Sequence, residues 1–206
     1  MKKILLLLIL QMLCVLPVSA EQAASEHMRW AAENGIILGM GNGELEPDGY
    51  VSRAQLAAML DRAYAPTAEG EPGIYSDVSE TDWYYPYVMS LSAAGIMFGD
   101  GTTWRPEDKV TREEAVTAVV RASDENVRGE AADISDSAEI SDWARPYINT
   151  AVKLGIISEN GEFRPKDIAT RDELAEMLYN GRAYMSESGL EPFIDEDGSA
   201  WTPIYR

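Results

Sequence analysis

Four stretches of the chain carry apolar residues at three- and four-residue spacing. They are Tyr87, Val88 and Leu91; Ala115, Val116, Val119 and Val120; Tyr147, Ile148, Ala151 and Val152; and Leu174, Ala175 and Leu178. This is the period of a helix with one buried face. Gly95 and Gly155 follow two of these stretches and predict left-handed stops. Pro86 falls in a first turn, where its missing N–H has no helical partner. The chain is expected to be all-α.

The pattern repeats with a period of about 60 residues, marked by Gly35-Ile36, Gly95-Ile96 and Gly155-Ile156. Pro47, Pro106 and Pro165 come next, followed by Ser52-Arg53, Thr111-Arg112 and Thr170-Arg171. Three helix–loop–helix units are expected, over 21–64, 74–122 and 132–180, joined by Gly-, Pro-, Ser- and acid-rich linkers at 64–73, 122–133 and 181–192. Such units stack because each is too small to close its own core. Units two and three open on aromatic or Ile–x–Asp (Tyr75 to Asp77, Ile134 to Asp136), followed by Trp83 or Trp143. The first unit lacks this front. Residues 193–206 supply one, since Phe193, Asp195, Trp201 and Tyr205 repeat the spacing of Tyr75, Asp77, Trp83 and Tyr87. This partial repeat is expected to complete unit one and close a three-fold ring.

Residues 1–20 stand apart. Lys2-Lys3, the apolar run from Ile4 to Leu16 and the small residues Val18 to Ala20 read as a secretory signal peptide. Leu13 before Cys14 argues against a lipidation site, and the mature chain is then free of cysteine. The net charge of −18, with 35 acidic residues, excludes nucleic acid and anionic membrane surfaces as expected partners.

Ser52 with Gln55, Thr111 with Glu114 and Thr170 with Glu173 form capping boxes. They do not explain the arginines. Arg53, Arg112 and Arg171 sit at the positive end of a helix dipole, which is unfavourable by about 0.3–1 kcal/mol. Two readings account for them: ion pairs with Asp77, Asp136 and Asp195 of neighbouring units, or capture of a bound anion together with helix N-terminal N–H groups.

Aromatic–x–Asp, Trp, Gly-Ile, a glycine-rich loop, aromatic–Arg–Pro and Thr-Arg-x-Glu together resemble the S-layer homology domain. The resemblance covers nearly all of the mature chain. It implies a pseudo-three-fold helical spindle that anchors an exported protein to the bacterial cell wall. It further implies binding of a secondary cell-wall polysaccharide, often one bearing ketal-linked pyruvate, whose carboxylate Arg53, Arg112 and Arg171 would clamp beside Thr111 and Thr170. Unit two is closest to the pattern and makes Arg112 the leading candidate. Glu46, where the other units carry Arg105 and Arg164, is expected to weaken the first pocket. Trp83, Trp143 and Trp201 either face sugar rings or fill unit interfaces.

Other chemistry finds no support in the residues. Gly39 to Gly43 is the repeat's own turn rather than a phosphate loop. Pro47 and Gln55 break any calcium loop at 44–55. His27, the only histidine, occupies the position of Tyr87 and Tyr147 and reads as a packing residue. No catalytic triad or histidine metal site can be assembled, so neither a cofactor, a metal nor an enzymatic activity is expected. A surface protein-interaction module of the same fold is the alternative function.

Overall fold

The computed structural model describes residues 24–39, 44–66, 73–123, 127, 131–158 and 161–187. They hold six α-helices: α1 (Glu26–Glu33), α2 (Arg53–Tyr64), α3 (Tyr85–Ala93), α4 (Arg112–Ser123), α5 (Arg145–Lys153) and α6 (Arg171–Glu187). The fold is all-α, with no strand among the described residues. The expected signal peptide at 1–20 and the expected partial repeat at 193–206, including Asp195 and Trp201, lie outside them.

The three short helices stop by one device. Gly35, Gly95 and Gly155 adopt φ of 67°, 73° and 71°. The next amide then reaches back: Ile36 N to Ala31 O, Ile96 N to Leu91 O and Ile156 N to Ala151 O, at 2.8–2.9 Å. This is the Schellman stop. It drops Ile36, Ile96 and Ile156 into the core.

The units interleave instead of stacking as separate pairs. Each short helix packs on the long helix of the preceding unit: α3 on α2, α5 on α4 and α1 on α6. The long helices α2, α4 and α6 also pack against one another. The α1–α6 contact closes the ring within the described residues. There the Ser25 hydroxyl, which caps α1, donates to Asp172, and Tyr179 lies 5.0 Å from His27 and 5.2 Å from Trp30.

A backbone ring marks the pseudo-three-fold axis. Val51 N donates to Ala169 O, Ala169 N to Val110 O, and Val110 N to Val51 O, at 3.2, 2.9 and 3.0 Å. All three residues are buried, so each amide satisfies a group that water cannot reach. The hydrophobic period carries no trace of this ring.

The linker expected from 181 is in fact helix as far as Glu187. Gly181 does not break it. A Cβ there would lie 2.3 Å from Tyr64 Oη and 2.9 Å from Ser123 Oγ, so glycine lets α2 and α4 approach α6 closely.

Candidate functional site: the inter-unit grooves

The N-termini of α2 and α4 meet the aromatic–Arg–Pro loop of the following unit, and that of α6 meets the corresponding Leu45-Glu46-Pro47 loop of unit one. All three capping boxes form: Ser52 with Gln55, Thr111 with Glu114, and Thr170 with Glu173. The next free donors are also taken. Arg53 N and Ala54 N donate to Asp108 O and Pro106 O; Arg112 N and Glu113 N donate to Asp167 O and Pro165 O. Arg171 N and Asp172 N likewise donate to Gly49 O and Pro47 O. The expectation that these amides hold a bound anion is therefore overturned. Loop carbonyls of the neighbouring unit already satisfy them.

The arginines cross the same interfaces. Arg53 donates from Nε to Trp104 O at 2.9 Å and from Nη2 to Phe98 O at 2.7 Å. Its guanidinium lies 4.7 Å from the Trp104 ring centroid. Arg171 donates to Leu45 O and Leu38 O at 2.6 and 2.9 Å. Arg112 donates to Phe163 O at 2.7 Å and pairs with Glu173 at 2.6 Å. Burial lowers the pKa of Arg53 and Arg171, yet a guanidinium stays charged at any physiological pH.

Asp77 and Asp136 are not partners of these arginines, which corrects the ion-pair reading. Asp77 accepts from Trp104 N and Arg105 N at 2.8 and 2.7 Å, and Asp136 accepts from Phe163 N and Arg164 N at 2.8 and 2.6 Å. Each carboxylate locks a turn whose arginine has a left-handed backbone, with φ of 59° at Arg105 and 54° at Arg164.

Two of the grooves among the described residues differ in chemistry. The larger, about 220 Å³, is lined by Arg53, Arg105 and Arg121 against one carboxylate, Glu114, with Phe98 and Trp143 at its walls. The smaller, about 130 Å³, is lined by Arg112 against Glu162, Glu173 and Glu176, beside Phe163 and Met177. The electropositive groove thus draws its motif arginine from unit one and its loop from unit two. Arg112, favoured by sequence, faces the acidic groove. Glu46 acts on Arg171, whose positive charge it supports, and not on Arg53.

Trp143 is 49% exposed and Trp83 57%. They are not interface core residues; the aromatic that fills that role is Trp104, which is fully buried. Arg121 was missed by motif reasoning. It lies 4.7 Å from the Tyr147 ring and 5.6 Å from the Phe98 ring, donating to Tyr147 Oη and Ile96 O at 3.2 and 3.3 Å. Its recurrence as Arg62 in unit one, on Tyr87 and Ile36 O, was the available signal. Among the described residues no group of three or more His, Cys, Asp or Glu can hold a metal ion.

The S-layer homology domain model matches residues 18–57, 74–116 and 133–175. The chain is 39% identical over 159 residues to exoglucanase XynX of Acetivibrio thermocellus, covering 72% of this chain and 14% of that protein. It is 30% identical over 158 residues to the surface-layer 125 kDa protein of Lysinibacillus sphaericus, covering 74% of this chain and 13% of that protein. It is also 30% identical over 153 residues to the middle cell wall protein of Brevibacillus brevis, covering 71% and 13%. The chain thus spans about one seventh of the length of these relatives. Three matched repeats, an all-α interleaved ring and surface-layer and cell-wall relatives agree: the chain belongs to the S-layer homology domain family of secreted bacterial cell-surface proteins.

Proposed function

We propose that this chain is a non-catalytic anchor that attaches noncovalently to an anionic secondary cell-wall polysaccharide. The observation that carries this reading is the groove of Arg53, Arg105 and Arg121 with Phe98 and Trp143. A chain of net charge −18 gathers three guanidiniums there against one carboxylate. Two aromatic faces, 49% and 52% exposed, flank them. Guanidinium and flat aromatic surface together suit a sugar that bears a carboxylate, and a ketal-linked pyruvate supplies one. Asp77 contributes by fixing the turn that presents Arg105, and Thr111 by capping α4. Arg112, Arg171, Asp136 and Thr170 serve the equivalent interfaces, where they tie neighbouring units together.

The test is co-sedimentation of the chain with purified wall sacculi, before and after acid extraction of the secondary polymer, for wild type and Trp143→Ala. Binding lost on extraction and weakened in Trp143→Ala supports the anchor. Absence of binding to intact sacculi contradicts it and favours a protein-interaction module.

A further inference from the structure

In units two and three, the loop after the short helix is pinned by a carboxylate from the front of the same unit. Asp77 holds the Trp104 and Arg105 amides, and Asp136 holds those of Phe163 and Arg164. The third copy of this loop is Leu45-Glu46-Pro47 in unit one. Its backbone turns the same way, with φ of 49° at Glu46 against 59° at Arg105 and 54° at Arg164. Yet neither Leu45 N nor Glu46 N finds an acceptor among the described residues. Leu45 is only partly buried, whereas Trp104 and Phe163 at its position are 0% and 5% exposed. Two copies of one turn are thus pinned and covered, and the described residues leave the third open. Amides at partly buried positions are ordinarily paired.

The surroundings of the open turn also select what covers it. Tyr75, which opens unit two, meets Ser92 Oγ through its Oη at 2.8 Å. Its ring lies so close to Gly99 that a Cβ there would meet it at 2.6 Å. Unit three opens on Ile134 instead, and Val152 and Glu159 stand where unit two has the serine and the glycine. Unit one carries Ala32 and Gly39 at these positions. Glycine leaves room for an aromatic ring, and alanine offers no hydroxyl to bond one. That combination suits phenylalanine. Phe193 precedes Asp195 by the same step that separates Tyr75 from Asp77 and Ile134 from Asp136.

The path of the chain fits as well. α3 packs on α2, whose chain runs on to Tyr75, and α5 packs on α4, whose chain runs on to Ile134. α1 packs on α6, whose chain runs on to Phe193. Tyr64 to Tyr75, Ser123 to Ile134 and Arg182 to Phe193 are equal steps. A linker length that suffices twice serves the third copy too.

We propose that the open turn of unit one is a docking site for residues 193–206 of the same molecule. The Asp195 carboxylate accepts from Leu45 N and Glu46 N, and the Phe193 ring packs against Ala32 and Gly39. The contact is independent of polymer binding.

The experiment is residue-by-residue amide exchange on the full chain, alongside thermal melts. Leu45 and Glu46 should exchange within about tenfold of Trp104 and Arg105. Asp195→Ala should speed Leu45 and Glu46 by about tenfold or more and leave Trp104 and Arg105 unchanged. A second pair of variants reads the ring contact. Phe193→Tyr brings a hydroxyl to a place with no partner and should lower the melting temperature. Adding Ala32→Ser should restore it, as Ser92 serves Tyr75. Solvent-rate exchange at Leu45 and Glu46 in the wild type, or protection unaltered by Asp195→Ala, would overturn the carboxylate contact. Failure of Ala32→Ser to restore the melt would overturn the ring contact. Protection that needs Asp195 but fades on dilution would assign the segment to a second copy and overturn docking within one molecule.

Discussion

Arg112 Nη1 lies 2.6 Å from Glu173 Oε1, so the arginine that the sequence motif singles out is already paired inside the protein. It also donates to Phe163 O and stacks on the Phe163 ring at 5.2 Å. Arg112→Ala should therefore destabilise the fold, leaving Glu173 short of a partner in a largely buried site. The loss should be about 2–3 kcal/mol, as for breaking a charged hydrogen-bond pair. For a domain of this size that is roughly 5–10 °C of melting temperature. An unchanged melt would refute the tie.

Trp143 should behave in the opposite way. It is half-exposed at the groove wall, so Trp143→Ala removes ligand surface but little core. Melting should stay within about 1 °C, while polymer affinity falls by about 1–2 kcal/mol, or roughly 5–30-fold. Equal binding by both proteins would remove the aromatic wall from the site.

Acid sensitivity should trace to Glu113. Burial alone raises its pKa, but Lys166 and the Ser141 amide and hydroxyl outweigh burial and hold it below the ordinary value of 4.5. A depressed carboxylate contributes stability that is complete above the unfolded-state pKa and is lost as pH falls through the folded-state one. Melting temperature should thus drop below about pH 4.5, with Glu173 adding to the slope in the same direction. In Glu113→Gln the protein should be less stable at neutral pH and its acid limb flatter. An unaltered limb would exclude Glu113.

Ring closure should depend on Tyr179, against which both His27 and Trp30 pack. Tyr179→Ala should cost on the order of 2 kcal/mol. Amide exchange in α1 should rise towards solvent rates while α5, which packs on α4, keeps its protection. Uniform loss across all helices would argue against a locally closed ring.

Much of this was legible because it is local. The Gly-Ile stops, the capping boxes and the helix faces each need specific residues within five positions. The interleaving was not, since nothing in α3 states that α2 rather than α4 covers it. The Val51–Val110–Ala169 ring and the loop carbonyls under Arg53 use backbone acceptors, which every residue carries, so no side-chain pattern announces them. The choice of groove was also hidden. Arg53, Phe98, Arg121 and Trp143 come from three units and meet only after folding. Asp77 and Asp136 read as partners for arginine because charge was visible and the left-handed turns they lock were not.

The central claim is that one electropositive groove takes a carboxylate of the wall polymer. Its most direct test is calorimetric titration of the wild-type chain with polymer before and after mild-acid removal of ketal pyruvate. The account predicts saturable binding to the intact polymer and at least tenfold weaker binding to the stripped one. Equal affinity for both would contradict it.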